Sequence, residues 1–278
     1  MTPMLTHRPP PSLAPFVEAL WIADAPVSPG LEFTVPTGHL QLLVNLADDR
    51  LSWFDDVDSA RAGRRNSVTG VGVCGPRLSP VVIDRVEQRW CAGVTLRPGA
   101  APALLGVPAA ALADPVVGLD EVWGTDGPRL RERMLAESSA SRMLDVLAAV
   151  LHEHAAPAAL ASPSGRGLGL REACRLLAAG MRVADVADRL GWSASTLMRR
   201  FRLDVGVVPK SYARLRRVQR VFTAIDPDEA PDWSELAIRC GFFDQAHLVN
   251  EFRDLTGTTP ARYRRLVVPE ARNHVTVG

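Results

Sequence analysis

The chain has 278 residues, 47% of them apolar, which allows two domains with real cores and excludes wholesale disorder. No run of about 18 uncharged apolar residues occurs, so no transmembrane helix is predicted. The proline-rich start, residues 1–15, lacks the apolar stretch of a secretory signal. The net charge of +1 conceals an asymmetry: residues 166–278 hold 19 Arg or Lys against 13 Asp or Glu, a net of +6, and residues 1–165 hold 13 against 18, a net of −5. A basic half joined to an acidic half predicts that one half alone meets a polyanion. Cys74, Cys91, Cys174 and Cys240 are far apart and form no zinc-type spacing, so buried, reduced thiols in a cytoplasmic protein are expected.

In chain order, residues 12–22 form an apolar opening segment, a short helix or strand. Residues 31–35, 40–46, 68–73, 81–83 and 90–96 are short runs rich in branched residues, separated by turn signals such as Pro36-Thr37-Gly38 and Arg97-Pro98-Gly99. They predict an antiparallel sheet or small barrel. The polar residues 55–66 read as an exposed loop. After Pro98 the texture turns helical: 100–105 and 108–113 are short, 128–137 and 141–154 longer. In the last, Met143, Leu144, Leu147, Val150 and Leu151 recur at helical spacing. These trailing helices are a candidate dimer surface. Residues 156–167, rich in Ala, Pro, Ser and Gly, read as a linker between domain 1–155 and domain 168–265. A helix at 170–179 stops at Gly180, and residues 210–225 form a long helix. The tail, 266–278, is expected to fray.

Within the second domain one pattern is written twice. Val186, Ala187, Leu190, Gly191, Leu197, Phe201, Gly206 and Pro209 correspond to Leu236, Ala237, Cys240, Gly241, Leu248, Phe252, Gly257 and Pro260. Gly191 and Gly241 are fifty residues apart, the two phenylalanines fifty-one, so one extra residue falls between glycine and phenylalanine in the second copy. Each copy reads as helix, glycine turn, helix, the outline of a helix-turn-helix. The fold class expected is therefore α+β, with a sheet domain, trailing helices, and an all-α domain holding two helix-turn-helix units.

Ser193 is placed to cap the second helix of the first copy, and Asp244 that of the second. With Leu197 and Phe201 inward, Ser195, Met198, Arg199 and Arg202 are left outward. With Leu248, Phe252 and Leu255 inward, Gln245, Ala246, Val249, Asn250 and Arg253 are left outward. Arginine can hold a guanine edge with two hydrogen bonds; Gln and Asn suit adenine, and Val or Ala a thymine methyl. Arg200, Arg202, Arg214, Arg216, Arg217, Arg220, Arg239 and Arg253 are candidates for phosphates, which position without reading sequence. One such arginine-bearing helix is as consistent with a solvated face as with DNA; two copies in a basic half favour DNA.

Gly241-Phe242, Asp244-Gln245, His247-Leu248, Phe252-Arg253, Gly257, Thr259-Pro260 and Tyr263-Arg264, with the first-copy residues above, resemble the AraC/XylS family of bacterial transcription regulators over about residues 168–265. The resemblance implies seven helices, a helix near 210–225 joining the two units, and recognition helices in successive major-groove segments of double-stranded DNA. It implies base reading by Ser195, Met198 and Arg199 and by Gln245, Ala246, Val249 and Asn250. It also implies RNA polymerase, a small-molecule effector and a second copy of the chain as candidate partners, with no cofactor, no metal and no membrane. Asn250 departs from the Arg of many members, and Phe243 from a capping Ser, which leaves Asp244 to cap. Residues 1–155 are similar to uncharacterised N-terminal domains of actinobacterial AraC-like regulators, through 36–45, 94–99, 104–108 and 112–115.

His152 and His154 stand two apart on different helix faces, and His39 has no neighbouring histidine, so no metal site is predicted. Trp53, Trp90 and Trp123 suit core packing better than a shared apolar pocket. An enzyme is the rival class, because a DNA-repair methyltransferase can be fused to an AraC-like part. Such a fusion needs Pro-Cys-His; Cys74 lies in Val-Cys-Gly and Cys91 in Trp-Cys-Ala, and no GxSxG, P-loop or HExxH occurs. No catalytic residue is predicted.

Overall fold

The computed structural model describes residues 4–24, 28–112, 114–157, 165–266 and 273–277. The N-terminal part is built on an open antiparallel sheet. Its spatial order is β1 (Leu5–His7), β2 (Val17–Asp24), β9 (Trp90–Leu96), β4 (Gln41–Asn45), β7 (Val71–Cys74) and β10 (Val117–Gly118). Leu42, Val44, Val71, Val73, Ala92 and Val94 are fully buried in the middle strands, as branched residues on a covered sheet should be. Helices α4 (Asp126–Leu135) and α5 (Ala140–His154) supply Leu130, Met134, Leu144, Leu147 and Leu151 to the same core. Each buried leucine contributes about 2 kcal/mol.

Beside it lie a smaller sheet, β11 (His274–Thr276), β3 (Leu31–Thr34) and β8 (Val81–Asp84), and a ribbon of β5 (Arg50–Trp53) and β6 (Asn66–Thr69). The sequence run 68–73 is broken at Gly70 into β6 and β7. Helix α1 (Val57–Arg61) occupies the stretch expected to be a loop, capped by Asp56, which accepts from Ser59 N–H at 2.6 Å. Short elements α2 (Ala101–Leu104), a 3-10 turn (Ala109–Leu112) and α3 (Leu119–Trp123) lead to α4. The tryptophans pack as expected: Trp53 with Leu51 and Ile83 in a small satellite core, Trp90 and Trp123 against the main one.

The C-terminal part has seven helices among the described residues: α6 (Gly165–Ala178), α7 (Val183–Arg189), α8 (Ala194–Arg200), α9 (Pro209–Ala224), α10 (Trp233–Arg239), α11 (Gln245–Thr256) and α12 (Pro260–Leu266). Helix α8 runs on into a π-helical turn, Phe201–Val205, that ends at Gly206. Helix α6 begins inside the stretch read as linker; residues 158–164 of that stretch lie outside the described residues. The C-terminal tail is ordered over residues 274–276. Rather than fraying, β11 pairs antiparallel with β3, His274 opposite Thr34 and Thr276 opposite Glu32. His274 Nδ1 lies 2.6 Å from Glu32 Oε1 across the pair. Residues 267–272 lie outside the described residues.

Helix α9 is where the two halves meet. Its first turns put Tyr212 into the core of the first helix-turn-helix unit, and Leu215, Val218, Val221 and Phe222 into that of the second. Its remaining face meets the turn after β3. Gln219 Nε2 donates to Pro36 O at 2.7 Å, and Arg216 Nη1 lies 3.3 Å from Thr37 O and 2.9 Å from His39 Nε2. A guanidinium only donates, so His39 Nε2 accepts and the proton sits on Nδ1, 3.2 Å from Glu18 Oε2. Gly38 allows the approach: it has φ +79°, and a Cβ there would lie 2.6 Å from Leu215 Cδ2. Gly38→Ala should therefore destabilise the chain by about 2 kcal/mol, read by urea denaturation. Burial pushes the His39 pKa below its ordinary 6.5 and Arg216 pushes the same way, against Glu18. Stability should be complete above pH 6.5 and fall as the pH drops below it, because the unfolded chain then binds the proton first. In His39→Gln that part of the pH dependence should disappear from the denaturation midpoints.

Candidate nucleic-acid interface

The two helix-turn-helix units are α7–α8 and α10–α11. Their turns are built alike. Gly191 and Gly241 adopt left-handed φ of +63° and +85°. Trp192 N–H returns to Ala187 O at 2.9 Å and Phe242 N–H to Ala237 O at 2.9 Å, the same six-to-one closure of the preceding helix. After that closure the copies diverge. Ser193, two residues past Gly191, accepts from Thr196 N–H at 3.2 Å; Asp244, three past Gly241, accepts from His247 N–H at 2.7 Å. Phe243 is the extra residue. From cap to buried phenylalanine both copies count eight residues, so Ser195 matches Ala246, Met198 matches Val249 and Arg199 matches Asn250.

Beneath these helices the cores are filled by aromatics. Phe201 packs edge-on to Tyr212 with centroids 5.7 Å apart; Phe222 and Phe252 do the same at 5.2 Å, with Tyr263 beside both. Above them Ser195, Arg199, Gln245, Ala246 and Asn250 are exposed. Met198 and Val249 are partly buried, Val249 against the core of its unit. Each unit thus offers a short polar face on a rigid, capped helix, in one case ending in a guanidinium and in the other in a carboxamide. The first can donate two parallel bonds to a guanine edge; the second can exchange donor and acceptor with adenine.

The eight arginines assigned to phosphates are not alike in the structure. Arg202, Arg239 and Arg253 are exposed and make no salt bridge among the described residues. Arg200 lies over the Trp192 ring at 4.2 Å. Arg214 binds Asp254 at 2.6 Å and Glu251 at 3.4 Å, and Arg217 binds Glu251 at 3.6 Å and Gly241 O at 3.2 Å, so both fasten α9 to the second unit. Arg220 donates to Cys240 O at 2.8 Å and to Ala178 O, closing the ends of two helices. Arg216 faces the N-terminal part. Orphan carbonyls at helix ends attract donors as strongly as a phosphate does from outside, and periodicity alone does not tell the two apart.

Two large apolar residues flank the second turn in the open, and the sequence pattern marked neither as exposed. Ile238 is 63% exposed and Phe243 84% exposed, either side of the α10–α11 turn. The one-residue offset between the copies was the available signal for Phe243. Its backbone is held: Phe243 N–H donates to His247 Nδ1 at 3.2 Å, and His247 Nε2 lies 3.2 Å from Glu251 Oε1. The cysteines are free and buried; burial pushes the Cys91 and Cys174 thiols up to about 12, which removes thiolate chemistry near neutral pH.

A family model described as a helix-turn-helix domain matches residues 186–266, the span of both units. The C-terminal domain is an AraC-type helix-turn-helix domain. The protein that carries it is a DNA-binding transcription regulator. A second model, a domain of unknown function, matches residues 5–118. The chain matches none of the curated proteins. Among solved structures it is similar to ToxT from Vibrio cholerae O395, at 8% identity over 95% of this chain and 98% of that one, with a TM-score of 0.46. It is also similar to unsaturated-fatty-acid-bound ToxT from Vibrio cholerae strain SCE256, at 10% identity over 95% of each chain and a TM-score of 0.45. Among the described residues no helix is long and apolar enough to cross a membrane, and no cluster of three or more His, Cys, Asp or Glu is placed to hold a metal.

The caps fix where α8 and α11 begin. Replacing Asp244 by Ala should cost about 1 kcal/mol of stability, as should Ser193→Ala, both read as lowered thermal midpoints.

Proposed function

We propose that this regulator reads a two-part DNA site in the cytoplasm, one part with each capped helix, under the control of a small molecule acting through residues 1–155. The observation that carries the reading is the cap-to-cap correspondence of outward side chains on two helices that follow turns closed by the same bond. Ser195, Met198 and Arg199 read a guanine-containing segment. Gln245, Ala246, Val249 and Asn250 read an A·T-rich one. Arg200, Arg202, Arg239 and Arg253 hold phosphates; Arg214, Arg216, Arg217 and Arg220 keep the architecture instead, which narrows the set expected from sequence. The first helix supplies charge and affinity, the second much of the discrimination.

The full chain should protect about 20 base pairs of its own promoter region in a footprint, the span of two major-groove segments one helical turn apart. Arg199→Ala should cost about 1–3 kcal/mol at the preferred site and relax preference at one base position. Arg202→Ala should weaken binding to every sequence and lower the slope of log K against log salt by about 1. Equal losses in both variants with unchanged preference would refute the division, and no binding at low salt would refute the reading as a whole.

A further inference from the structure

Phe242 and Phe243 are neighbours in the chain with opposite surroundings. Phe242 is buried, edge-on to the His247 ring at 5.4 Å, with the Arg217 guanidinium 5.3 Å from its centre. Phe243 is left outside the second unit and, among the described residues, is the most exposed of the large apolar side chains. It stands directly before Asp244, the cap of α11, and just ahead of the exposed carboxamide of Gln245. The N-terminal residues of a recognition helix are the ones that reach base edges, so a ring ahead of the cap lies where α11 enters a groove. Its backbone is anchored from behind. Phe243 N–H donates to His247 Nδ1, which leaves the imidazole proton on Nε2, 3.2 Å from Glu251 Oε1. Glu251 is in turn held by Arg214 and Arg217 of α9. The first copy has no such ring, because its cap, Ser193, follows Trp192 at once.

We propose that Phe243 is a base-reading residue, and that its partner is the C5-methyl group of a thymine at the edge of the second half-site. The chemistry of the groove selects that partner. A phenyl ring has no donor for a phosphate oxygen, and the base edges of the major groove carry one kind of apolar group, the thymine methyl. Gln245 suits adenine, so the two neighbouring side chains ask for the same A·T pairs. Burial on the methyl takes the ring out of water, which the fold itself does not do. The tie through His247 and Glu251 fixes the backbone before DNA arrives, so the side chain alone is left to order on binding. The inference rests on the reading of α11 as a base-reading helix, and adds a contact made before that helix begins.

The test uses the full chain and the duplex it protects in its own promoter region. Each thymine is replaced in turn by uracil, which removes one methyl and keeps every hydrogen-bonding group, and Kd is measured by fluorescence anisotropy at one fixed salt concentration. At one position bordering the second half-site, uracil should weaken the parent chain about fourfold, as expected for one methylene-sized group left unburied. Phe243→Ala should bind the thymine duplex about fourfold more weakly with an unchanged thermal midpoint, and its uracil penalty at that position should vanish while those elsewhere remain. Ile238→Ala removes exposed apolar surface from the other side of the same turn and should keep the parent's uracil profile. A Phe243→Ala profile identical to the parent's would overturn the proposal, whether affinity falls, as for a ring on a sugar, or holds, as for a patch that meets a protein. So would a parent chain indifferent to uracil at every position. Failure of the parent chain to bind the duplex at low salt would sink the DNA-binding reading and this contact together; tight binding with no Phe243-dependent uracil penalty sinks this contact alone.

Discussion

One helix must satisfy three surfaces at once, and the rest of the molecule follows from that. Helix α9 gives Tyr212 to one unit, Leu215 through Phe222 to the other, and Arg216 and Gln219 to the turn after β3. None of its sides is left for an independent task. Its arginines are consequently structural ties: Arg214 and Arg217 share Glu251 with α11, and Arg220 closes Ala178 and Cys240 carbonyls. Interiors packed this closely leave little room for adjustment, so the Pro36–His39 turn and α9 constrain each other's position.

The two units show how a shared plan yields different surfaces. Both close the first helix by the same glycine and the same six-to-one bond. The first copy then begins its second helix at once and relaxes into a π-helical turn after Phe201. The second inserts Phe243 before the cap and runs straight for twelve residues to Gly257. The insertion costs nothing inside, because both buried phenylalanines stand eight residues past their caps. It is spent on the outside, as a large ring held in water by a backbone bond to His247.

Much of this was legible in the residues. Glycine spacing, capping side chains and the Leu–Phe stripes are local signals with steep energetic consequences, and they placed both units and the long helix between them. The strands at 31–35, 40–46, 81–83 and 90–96 were visible through branched residues between turns. What escaped has a common cause. Strands β1, β10 and β11 are two or three residues long, too short for alternation to register, and owe their form to a partner far away in the chain. Arg216 and Arg220 looked like surface charge because a buried guanidinium is recognisable only once its carbonyl acceptors are in place. A cleft lined by Phe33, Val57, Thr258, Arg262 and Val275 draws on distant parts of the chain, and no window of sequence contains them.

The pairing of β11 with β3 also sets an order of events during synthesis. Thr34 leaves the ribosome 240 residues ahead of its partner His274. At about 5–20 residues per second that is a wait of roughly 12–48 s, during which β3 has only β8 beside it and one open edge. The N-terminal part can gather its main core in that interval, and both helix-turn-helix units can close around α9. The small sheet is finished only by the final strand, which makes the nascent chain's exposed β3 edge the place where a chaperone or a wrong strand has longest to act.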